Sequence, residues 1–437
     1  MRIAASTVAQ FTSGRLVGAD CEAEGFAFDS RALVQGQAFV AIRADRDGHD
    51  FLQDARANGA AFAVVERGRA IDELTCVEVD NTEIAIAQAA TAVRSTMMSS
   101  LDHRVVGVTG SAGKTSTKDF IYAVLRSAFP LAHCSPASLN NDIGVPVTIL
   151  NAPDGCDALV LEMGMRGFGE INRLCAIGQP SIGVLTNIGD AHSERVGGVD
   201  GVAKAKFELL RSLPGDGIAI INADNDKTMS LRHTLTSRIV TFGAAQGADV
   251  RWNIDSVDDN GCAHATFTYE GSSASGHVGL PGTHMVANAA AAVAVGVMCG
   301  VSLSQCVAAL TSADSQKGRA QWKRGHGGIR ILDDSYNANT LSMIAALDLL
   351  AAMPGHKIAV LGHMSEISDS EKQHLYVAEV ARSHGIDVMA CETSLYGIAA
   401  MSVEEIAEQI RKLGDVCVLV KGSRVAATER VVQLLGG

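Results

Sequence analysis

The sequence predicts an α/β protein of three domains, in which a central parallel sheet with a phosphate-binding loop lies between two smaller α/β domains. Three observations support this prediction. The chain has 437 residues, roughly three times the length of a typical domain. Apolar runs of strand length alternate with helical patterns over most of it. A glycine-rich loop also joins one of these strands to a helix, which is the usual setting of a phosphate site.

Residues 1–98 make up the first predicted domain. AFVAI (38–42) and AFAVV (61–65) are apolar runs of strand length. A helical pattern extends over residues 83–98 and leads out of the segment. These elements predict a small α/β domain.

Residues 99–312 make up the second predicted domain. The run RVVGVTG (104–110) precedes apolar residues at helical spacing over 117–128. Three further apolar runs have the length of strands: DALVLEMG (157–164), SIGVLTNIG (181–189) and GIAIIN (217–222). Continuous apolar strands separated by helices predict a parallel sheet with helices on both faces.

Residues 313–437 repeat this alternation, and a helical pattern covers 342–353. We therefore expect a third, Rossmann-like α/β domain. Its predicted strands are IRILDDS (329–335), KIAVLGH (357–363), IDVMA (386–390) and VCVLVKG (416–422).

Charge and composition exclude several classes of protein. The net charge of −12 argues against nucleic-acid binding, which needs clustered Lys and Arg. The ten cysteines form no CxxC pair and no zinc-ligand spacing, so we expect reduced thiols in a cytoplasmic protein. The stretch 286–303 is long enough to span a bilayer, but it is mostly Ala and Gly and contains Asn288. We expect a packed helix there and no membrane span.

The string TGSAGKTST (109–117) is a candidate phosphate loop, because it follows a strand and opens a helix. Its glycines let the backbone wrap an anion, and the helix N-terminus points N–H groups at it. Lys114 adds a positive charge, and the Thr115 hydroxyl can bind Mg²⁺. The predicted loop and first helical turn comprise Gly110, Ser111, Ala112, Gly113, Lys114, Thr115 and Ser116.

Two further residues stand where neighbouring strands end. Glu162 ends the predicted strand 157–161, and His192 follows the predicted strand 181–188. A doubly wound sheet places its ligands at these positions, so the pair predicts a metal site for a bound nucleotide. Taken singly, each could also be an ordinary solvated side chain.

The ordered series of motifs resembles the Mur ligase family, most closely its MurF type. The resemblance covers nearly the whole chain. The strings that carry it are FDSRALVQGQAFVAI, DGHDFLQDARANGA, TGSAGKTSTKDF, SLNNDIGVPVTIL, LEMGMRGFGEI, LTNIGDAH, GVAKAKFELL, LPGTHMVANAAAA, DDSYNANTLSM and VLVKGSRVAATERV.

The resemblance implies an ATP-dependent ligase that adds D-alanyl-D-alanine to a UDP-muramoyl tripeptide through an acyl phosphate. Two Mg²⁺ ions are implied, held by Thr115, Glu162, His192 and a carbamylated Lys206. Lys114, Lys206 and His192 would be the catalytic residues. From the residues alone, Lys206 could instead be a solvated lysine on a helix.

The resemblance also implies the remaining site residues. The first domain would bind the UDP-sugar and the third the amine, in a monomeric protein. Asn288, Arg319, Asp334 and Tyr336 would contact ATP. The substrate-binding residues would be Ser30, Arg31, Asn140, Asn141, Asn337 and Asn339. Asn140-Asn141 could alternatively form an Asx turn before a strand.

Several residues depart from the family pattern: HSERVG (192–197) lacks the common Leu after His, and Met285, Thr340, His363 and Ser368 replace the usual Asn, Pro, Asp and Gly. Because the last three fall in the predicted amine domain, a MurF-like paralogue that joins another amine to another carboxylate stays open as an alternative. A non-catalytic homologue is disfavoured by the retained site residues. Segment 1–98 disfavours a folate-polyglutamylating ligase, and NNDIGVP disfavours a MurE-type ligase.

Overall fold

Four β-sheets organise residues 1–190 and 193–437, the part of the chain that this computed structural model describes. A two-stranded and a five-stranded sheet lie in the N-terminal part, a nine-stranded sheet in the centre and a six-stranded sheet in the C-terminal part. This arrangement confirms the predicted α/β architecture of three domains. The domain limits after residues 98 and 312 stay a prediction.

The N-terminal domain contains strands β1 (Arg2–Ala4), β2 (Arg15–Val17), β3 (Glu22–Glu24), β4 (Phe26–Ala27), β5 (Ala38–Val40), β6 (Ala63–Glu66) and β7 (Cys76–Val79), and helices α1 (Ala5–Thr12), α2 (Leu52–Ala57), α3 (Thr82–Thr96) and α4 (Met98–Leu101). Its main sheet has the order β2-β7-β6-β5-β4. Both predicted strands form. Helix α3 starts one residue earlier than predicted because Asn81 caps it, accepting a hydrogen bond from the Ile84 N–H.

The central domain contains strands β8 (Val105–Thr109), β9 (His133–Cys134), β10 (Leu159–Glu162), β11 (Ile182–Leu185), β12 (Ile218–Asn222), β13 (Arg238–Gly243), β14 (Val250–Val257), β15 (Cys262–Tyr269) and β16 (Ser272–Pro281). Its helices are α5 (Lys114–Arg126), α6 (Gly144–Leu150), α7 (Glu170–Gly178), α8 (Ser193–Val196), α9 (Val199–Arg211), α10 (Asp226–Leu231), α11 (His284–Met298) and α12 (Leu303–Ala309).

The parallel part of the sheet has the order β9-β10-β8-β11-β12-β13-β14. It contains the four strands that the sequence predicts, β8, β10, β11 and β12, next to one another. Strands β15 and β16 extend the sheet in antiparallel fashion, which the sequence analysis did not predict. In β14 buried and exposed positions alternate instead of forming an apolar run, so this edge lacks the signal of a fully buried strand.

Helices cover both faces of the central sheet. Helices α5, α11 and α12 share one apolar core with it, while α6, α7 and α9 share another with α3 of the N-terminal domain. The stretch 286–303 forms most of α11, whose residues 288–296 are all buried, and then the start of α12. Within residues 1–190 and 193–437, no helix is both long and apolar enough to cross a bilayer.

The C-terminal domain contains strands β17 (Gln321–Arg324), β18 (Arg330–Asp334), β19 (His356–Leu361), β20 (Asp387–Cys391), β21 (Ala400–Met401) and β22 (Val416–Lys421), and helices α13 (Thr340–Ala351), α14 (Ser370–Ser383), α15 (Val403–Leu413) and α16 (Glu429–Leu434). The sheet order is β17-β18-β22-β19-β20-β21, parallel except for β17. All four predicted strands form, so the expected Rossmann-like layering is present.

One local expectation was wrong. The alternative interpretation of Asn140-Asn141 placed a strand after the turn, whereas the structure has helix α6 there. The Asn141 side chain accepts hydrogen bonds from the N–H groups of Ile143 and Gly144 at 3.3 and 2.8 Å. Pro146 lies in the first turn of α6, where its missing N–H costs no helical hydrogen bond.

The turn between β14 and β15 supports the C-terminal domain. Trp322 Nε1 donates to the Asn260 carbonyl at 2.7 Å, and Arg330 Nη2 donates to the Asp259 carbonyl at 3.2 Å. The unpredicted antiparallel extension therefore forms part of the interface between the central and C-terminal domains.

Asn151 fastens the N-terminal domain to the central one. Its Oδ1 accepts from the Phe26 N–H and its Nδ2 donates to the Phe26 carbonyl, both at 2.9 Å.

The variant Asn151→Ala leaves these backbone groups without their partners in a half-buried place. We expect the free energy of unfolding to fall by about 1–3 kcal/mol, measured by urea denaturation. Asn253→Ala is the control, because the hydrogen bonds of that exposed side chain go to Ile254 and Asp255 of its own strand. Equal unfolding midpoints for the two variants would contradict the prediction.

Candidate functional site

A cavity of about 950 Å³ opens where the central sheet ends. The loop after β8, the end of β10 and the segment after β11 all reach it, because the carboxyl ends of parallel strands meet at one edge. The C-terminal domain lines the opposite side. The predicted site residues that line the cavity are Ser111, Ala112, Gly113, Lys114, Thr115, Ser116, Asn140, Asn141, Glu162, Lys206, Asn288, Arg319, Asp334, Tyr336, Asn337 and Asn339.

The phosphate loop is packed so closely that two of its positions require glycine. A Cβ on Gly110 would lie 1.8 Å from Thr186 Oγ1, at the end of β11. A Cβ on Gly113 would lie 2.6 Å from Asn288 Oδ1, and Gly113 has φ +78°. Asn288, which is predicted to contact ATP, therefore lies directly against the loop, and it is buried. The N-terminus of α5 consequently faces the cavity, as phosphate binding requires.

Lys114 begins helix α5 and reaches back over the loop. Its Nζ donates to the Gly110 carbonyl at 2.8 Å. Burial lowers the pKa of Lys114, and the nearby Arg319 lowers it further, while the Glu162 carboxylate opposes the shift. A phosphate would supply the counter-charge that this half-buried ammonium favours.

Thr115 and Glu162 form a pair of oxygen donors suited to Mg²⁺. Thr115 Oγ1 donates to Glu162 Oε2 at 2.9 Å, and Asn140 Nδ2 donates to Glu162 Oε1 at 2.8 Å. Glu162 is only 1% exposed, so these contacts hold its carboxylate in one orientation. Hydroxyl and carboxylate oxygens are ligands that Mg²⁺ prefers, so the two residues fit the expected ion. The predicted ligand His192 lies outside the described residues.

Lys206 is a buried lysine on α9, not a solvated one. It is 1% exposed and lines the cavity. Burial lowers its pKa well below the usual value, and the positive charge of Lys114 lowers it further. Burial therefore favours the neutral amine over the ammonium. The alternative interpretation of Lys206 as a solvated lysine on the surface of a helix is wrong.

The C-terminal domain contributes Arg319 and Tyr336 to the cavity. The Arg319 guanidinium lies 4.3 Å from the centre of the Tyr336 ring. Arg319 Nη2 also donates to Ser138 Oγ at 3.0 Å, across the domain interface. Because Ser138 Oγ lies 3.5 Å from Thr115 Oγ1, the guanidinium is held beside the phosphate loop.

Asp334 ends strand β18 and is held by two partners. Its Oδ1 accepts from the Ala320 N–H at 3.1 Å, and its Oδ2 pairs with the Lys421 ammonium. Lys421 also donates to the Asn337 carbonyl at 3.0 Å. The Asp334 carboxylate, which is predicted to contact ATP, is thus held in place by these two partners.

Two of the predicted substrate-binding residues, Asn339 and Asn140, have side chains that are already hydrogen-bonded within the protein. Asn339 caps α13 through a reciprocal box with Ser342, and its Nδ2 donates to the Ser111 carbonyl at 3.2 Å. Asn140 holds Glu162, as described above. These residues position the site, and their contact with substrate stays a prediction.

Ser30 and Arg31 do not reach the cavity among the residues that the structure describes. Arg31 forms an ion pair with Asp29 at 2.7 Å on the surface of the N-terminal domain, and Ser30 is buried beneath it. Glu83, at the start of α3, is the residue of the N-terminal domain that lines the cavity. The predicted contacts of Ser30 and Arg31 with the uridine nucleotide stay a prediction.

Sequence reasoning missed several residues of the site. Lys421 ends the apolar strand β22. A charged residue at the end of a buried strand is the signal that indicated Glu162, and the same signal could have identified Lys421. Ser138 and Asn187 carried no such signal, because Ser and Asn are ordinary loop residues. His284 also lines the cavity.

A second group of metal-type donors lies outside the cavity, at the turn between β14 and β15. Atoms of Asp258, Cys262 and His277 lie within 4.8 Å of one another. Asp258 already accepts from the N–H groups of Asn260 and Cys262 and pairs with His277 at 3.2 Å. Burial raises the pKa of the Cys262 thiol to about 11. Hydrogen bonds within the turn therefore explain why these three side chains lie close together.

Two models of Mur ligase domains match most of the chain. A model of the Mur ligase middle domain matches residues 108–296, and a model described as the Mur ligase, glutamate ligase domain matches residues 318–436. The first match contains the phosphate loop, Glu162, Lys206 and Asn288. The second contains the C-terminal residues of the cavity.

Individual relatives extend the similarity to the whole chain. The UDP-N-acetylmuramoyl-tripeptide–D-alanyl-D-alanine ligase of Escherichia coli K12 is 36% identical over 450 residues, covering 98% of both chains. The Bacillus subtilis 168 protein of the same name is 33% identical, covering 84% of this chain and 79% of its own.

Solved structures of MurF proteins are also similar to this chain. Crystal structure I of MurF from Acinetobacter baumannii is 29% identical with a TM-score of 0.87, covering 100% of this chain and 99% of its own. MurF from Thermotoga maritima in complex with ADP, also 29% identical, has a TM-score of 0.78 and covers 94% and 97%.

The variant Gly113→Ala tests the packing of the phosphate loop. The added methyl would meet Asn288 at a φ that disfavours alanine, so the loop must shift. We expect the affinity for ADP, measured by calorimetry, to fall at least tenfold. Gly68→Ala is the control, since Gly68 has φ +75° and no heavy atom within 4 Å of its would-be Cβ. An unchanged affinity in a folded Gly113→Ala protein would contradict the assignment of this loop.

Proposed function

The chain belongs to the Mur ligase family, and from this membership we propose that it joins D-alanyl-D-alanine to UDP-N-acetylmuramoyl-tripeptide in an ATP-dependent step of peptidoglycan precursor synthesis. The proposal rests on the cavity that the central and C-terminal domains line together. In it the phosphate loop and the Thr115–Glu162 pair of the central domain face Arg319 of the C-terminal domain. The full-length similarity to ligases of that name supports the choice of substrates.

The chemistry requires an activated carboxylate. Transfer of the γ-phosphoryl group from ATP to the tripeptide carboxylate gives an acyl phosphate and ADP. The amine of the dipeptide then attacks the acyl carbon, and inorganic phosphate leaves from the tetrahedral intermediate. Lys114 and the N-terminus of α5 bind the phosphates, and Arg319 neutralises charge from the opposite side. Both steps depend mainly on positioning and on charge neutralisation.

Magnesium, when bound by Thr115 and Glu162, supplies further neutralisation of the phosphate charge. We place His192 and Lys206 at a second ion, as the family resemblance implies. A neutral, buried amine such as Lys206 can react with CO₂ and become an anionic carbamate, whereas an ammonium cannot. The lowered pKa of Lys206 therefore supports carbamylation.

The positions of the unusual residues favour D-alanyl-D-alanine over another amine. Thr340 is buried at the start of α13, the His363 ring stacks on His374 at 5.2 Å, and Ser368 bonds to Asp190. Among the described residues, the cavity lining includes none of these three positions. Met285 does line it. Thr340, His363 and Ser368 thus do not themselves line the cavity.

We propose that the enzyme works in the cytoplasm. All ten cysteines are free thiols, as is usual in a reducing compartment.

The proposed function is tested by ADP release from ATP against a matrix of UDP-muramoyl peptides and amines, with the products identified by mass. We expect the tripeptide with D-alanyl-D-alanine to give the highest kcat/KM. The dipeptide amide should be a poor substrate, because a site built for the carboxylate leaves its partner unpaired. Release of ADP with another amine only would support the paralogue instead.

The variants Lys206→Ala and Lys206→Arg test the carbamate. We expect both to lose most activity, because alanine removes the anion and arginine keeps a positive charge. Acetate or propionate should restore part of the activity of Lys206→Ala by replacing the carbamate oxygens. Lys204→Ala, on the exposed face of the same helix, is the matched control and should retain activity. Near-normal turnover of Lys206→Arg would remove the carbamate from the mechanism.

A further inference from the structure

The segment after β11 connects the phosphate loop to the C-terminal domain. On the loop side, the Asn187 carbonyl accepts from the Ser111 N–H at 3.0 Å, and Asn187 Oδ1 accepts from the Ala112 N–H at 2.9 Å. The Gly189 N–H donates to Ser111 Oγ at 2.9 Å. A shift of residues 187–190 would therefore move the backbone that is to bind phosphate.

On the other side, the same segment is bonded to the C-terminal domain at Asp190. Ser368 Oγ lies 2.9 Å from both carboxylate oxygens of Asp190. Ser368 belongs to the loop between β19 and α14, and both residues are half-buried. Leu341, from the start of α13, packs directly against Gly189 beside them.

We propose that Ser368 and Asp190 are a positioning pair that couples closure of the C-terminal domain to the geometry of the phosphate loop. The hydroxyl–carboxylate bond forms only when the two domains are together. It fixes Asp190, and through residues 187–189 it fixes Ser111 and Ala112. A glycine at position 368 offers no hydroxyl, so the coupling depends on the serine that this chain has there.

The pair acts on an equilibrium between open and closed domain arrangements, and neither residue touches the reacting atoms. Substrates that bind between the domains bind only the closed fraction, so a smaller closed fraction raises their apparent KM. A saturating concentration of substrates restores the closed state, so kcat changes little. A hydrogen bond to a charged acceptor is strong enough to alter the closed fraction about tenfold.

The test combines kinetics with hydrogen–deuterium exchange on the full-length protein. For Ser368→Ala we expect the KM values for ATP and for D-alanyl-D-alanine to rise about tenfold, with kcat within about twofold of wild type. Peptides covering 110–116 and 185–190 should exchange faster. Ser368→Thr keeps a hydroxyl and should restore both readouts. Ser383→Ala, an exposed serine whose hydroxyl bonds only to Val380 of its own helix, should change neither.

A double-mutant cycle with Asp190→Ala isolates the pair. We expect the effect of Ser368→Ala on exchange to disappear when Asp190 is already alanine. Additive effects, or unchanged exchange and KM in Ser368→Ala, would overturn the proposal. The kinetic readout depends on the proposed ligase reaction, whereas the exchange readout does not, so a wild-type protein without ligase activity would refute the function and leave this coupling to be judged by exchange.

Discussion

The close packing of the phosphate loop between Thr186 and Asn288 is the constraint on which the site depends. With side chains at Gly110 or Gly113 the loop could not lie between the end of β11 and the start of α11. Because it does, α5 begins at the sheet edge with its N-terminus toward the cavity. Lys114 and Thr115, the first two residues of that helix, then face Glu162 on the neighbouring strand. The residues proposed to bind phosphate and Mg²⁺ are thus positioned by one backbone path.

The site is completed by a second sheet. Arg319 and Asp334 belong to the C-terminal domain, and each is held by a defined partner, Ser138 in one case and Lys421 in the other. Contacts at the turn between β14 and β15, at Ser111 and at Asp190 bring this domain to the central one. A ligase that must exclude water from an acyl phosphate gains from such an arrangement, because the reactive groups assemble only when the domains meet.

Much of this could be predicted from the sequence, for identifiable reasons. Buried parallel strands are continuous apolar runs, and the glycine-rich loop has a fixed spacing, so β8, β10, β11 and residues 110–116 were located correctly. Strand β14, with its alternating pattern, and the antiparallel strands β15 and β16 carry a weak signal, so the sequence does not predict them. Asn187 and Ser138 act through tertiary contacts that no local pattern encodes. The burial of Lys206 depends on how α9 packs, which the sequence alone leaves open.

The central claim is that ATP activates a carboxylate by phosphorylating it within this cavity. The most direct measurement uses UDP-muramoyl tripeptide whose terminal carboxylate is labelled with ¹⁸O, together with ATP and D-alanyl-D-alanine. Formation of an acyl phosphate followed by amine attack transfers one labelled oxygen to inorganic phosphate in each turnover, which mass spectrometry of the released phosphate detects. We predict that the phosphate carries this label. Product formation with unlabelled phosphate would contradict the account.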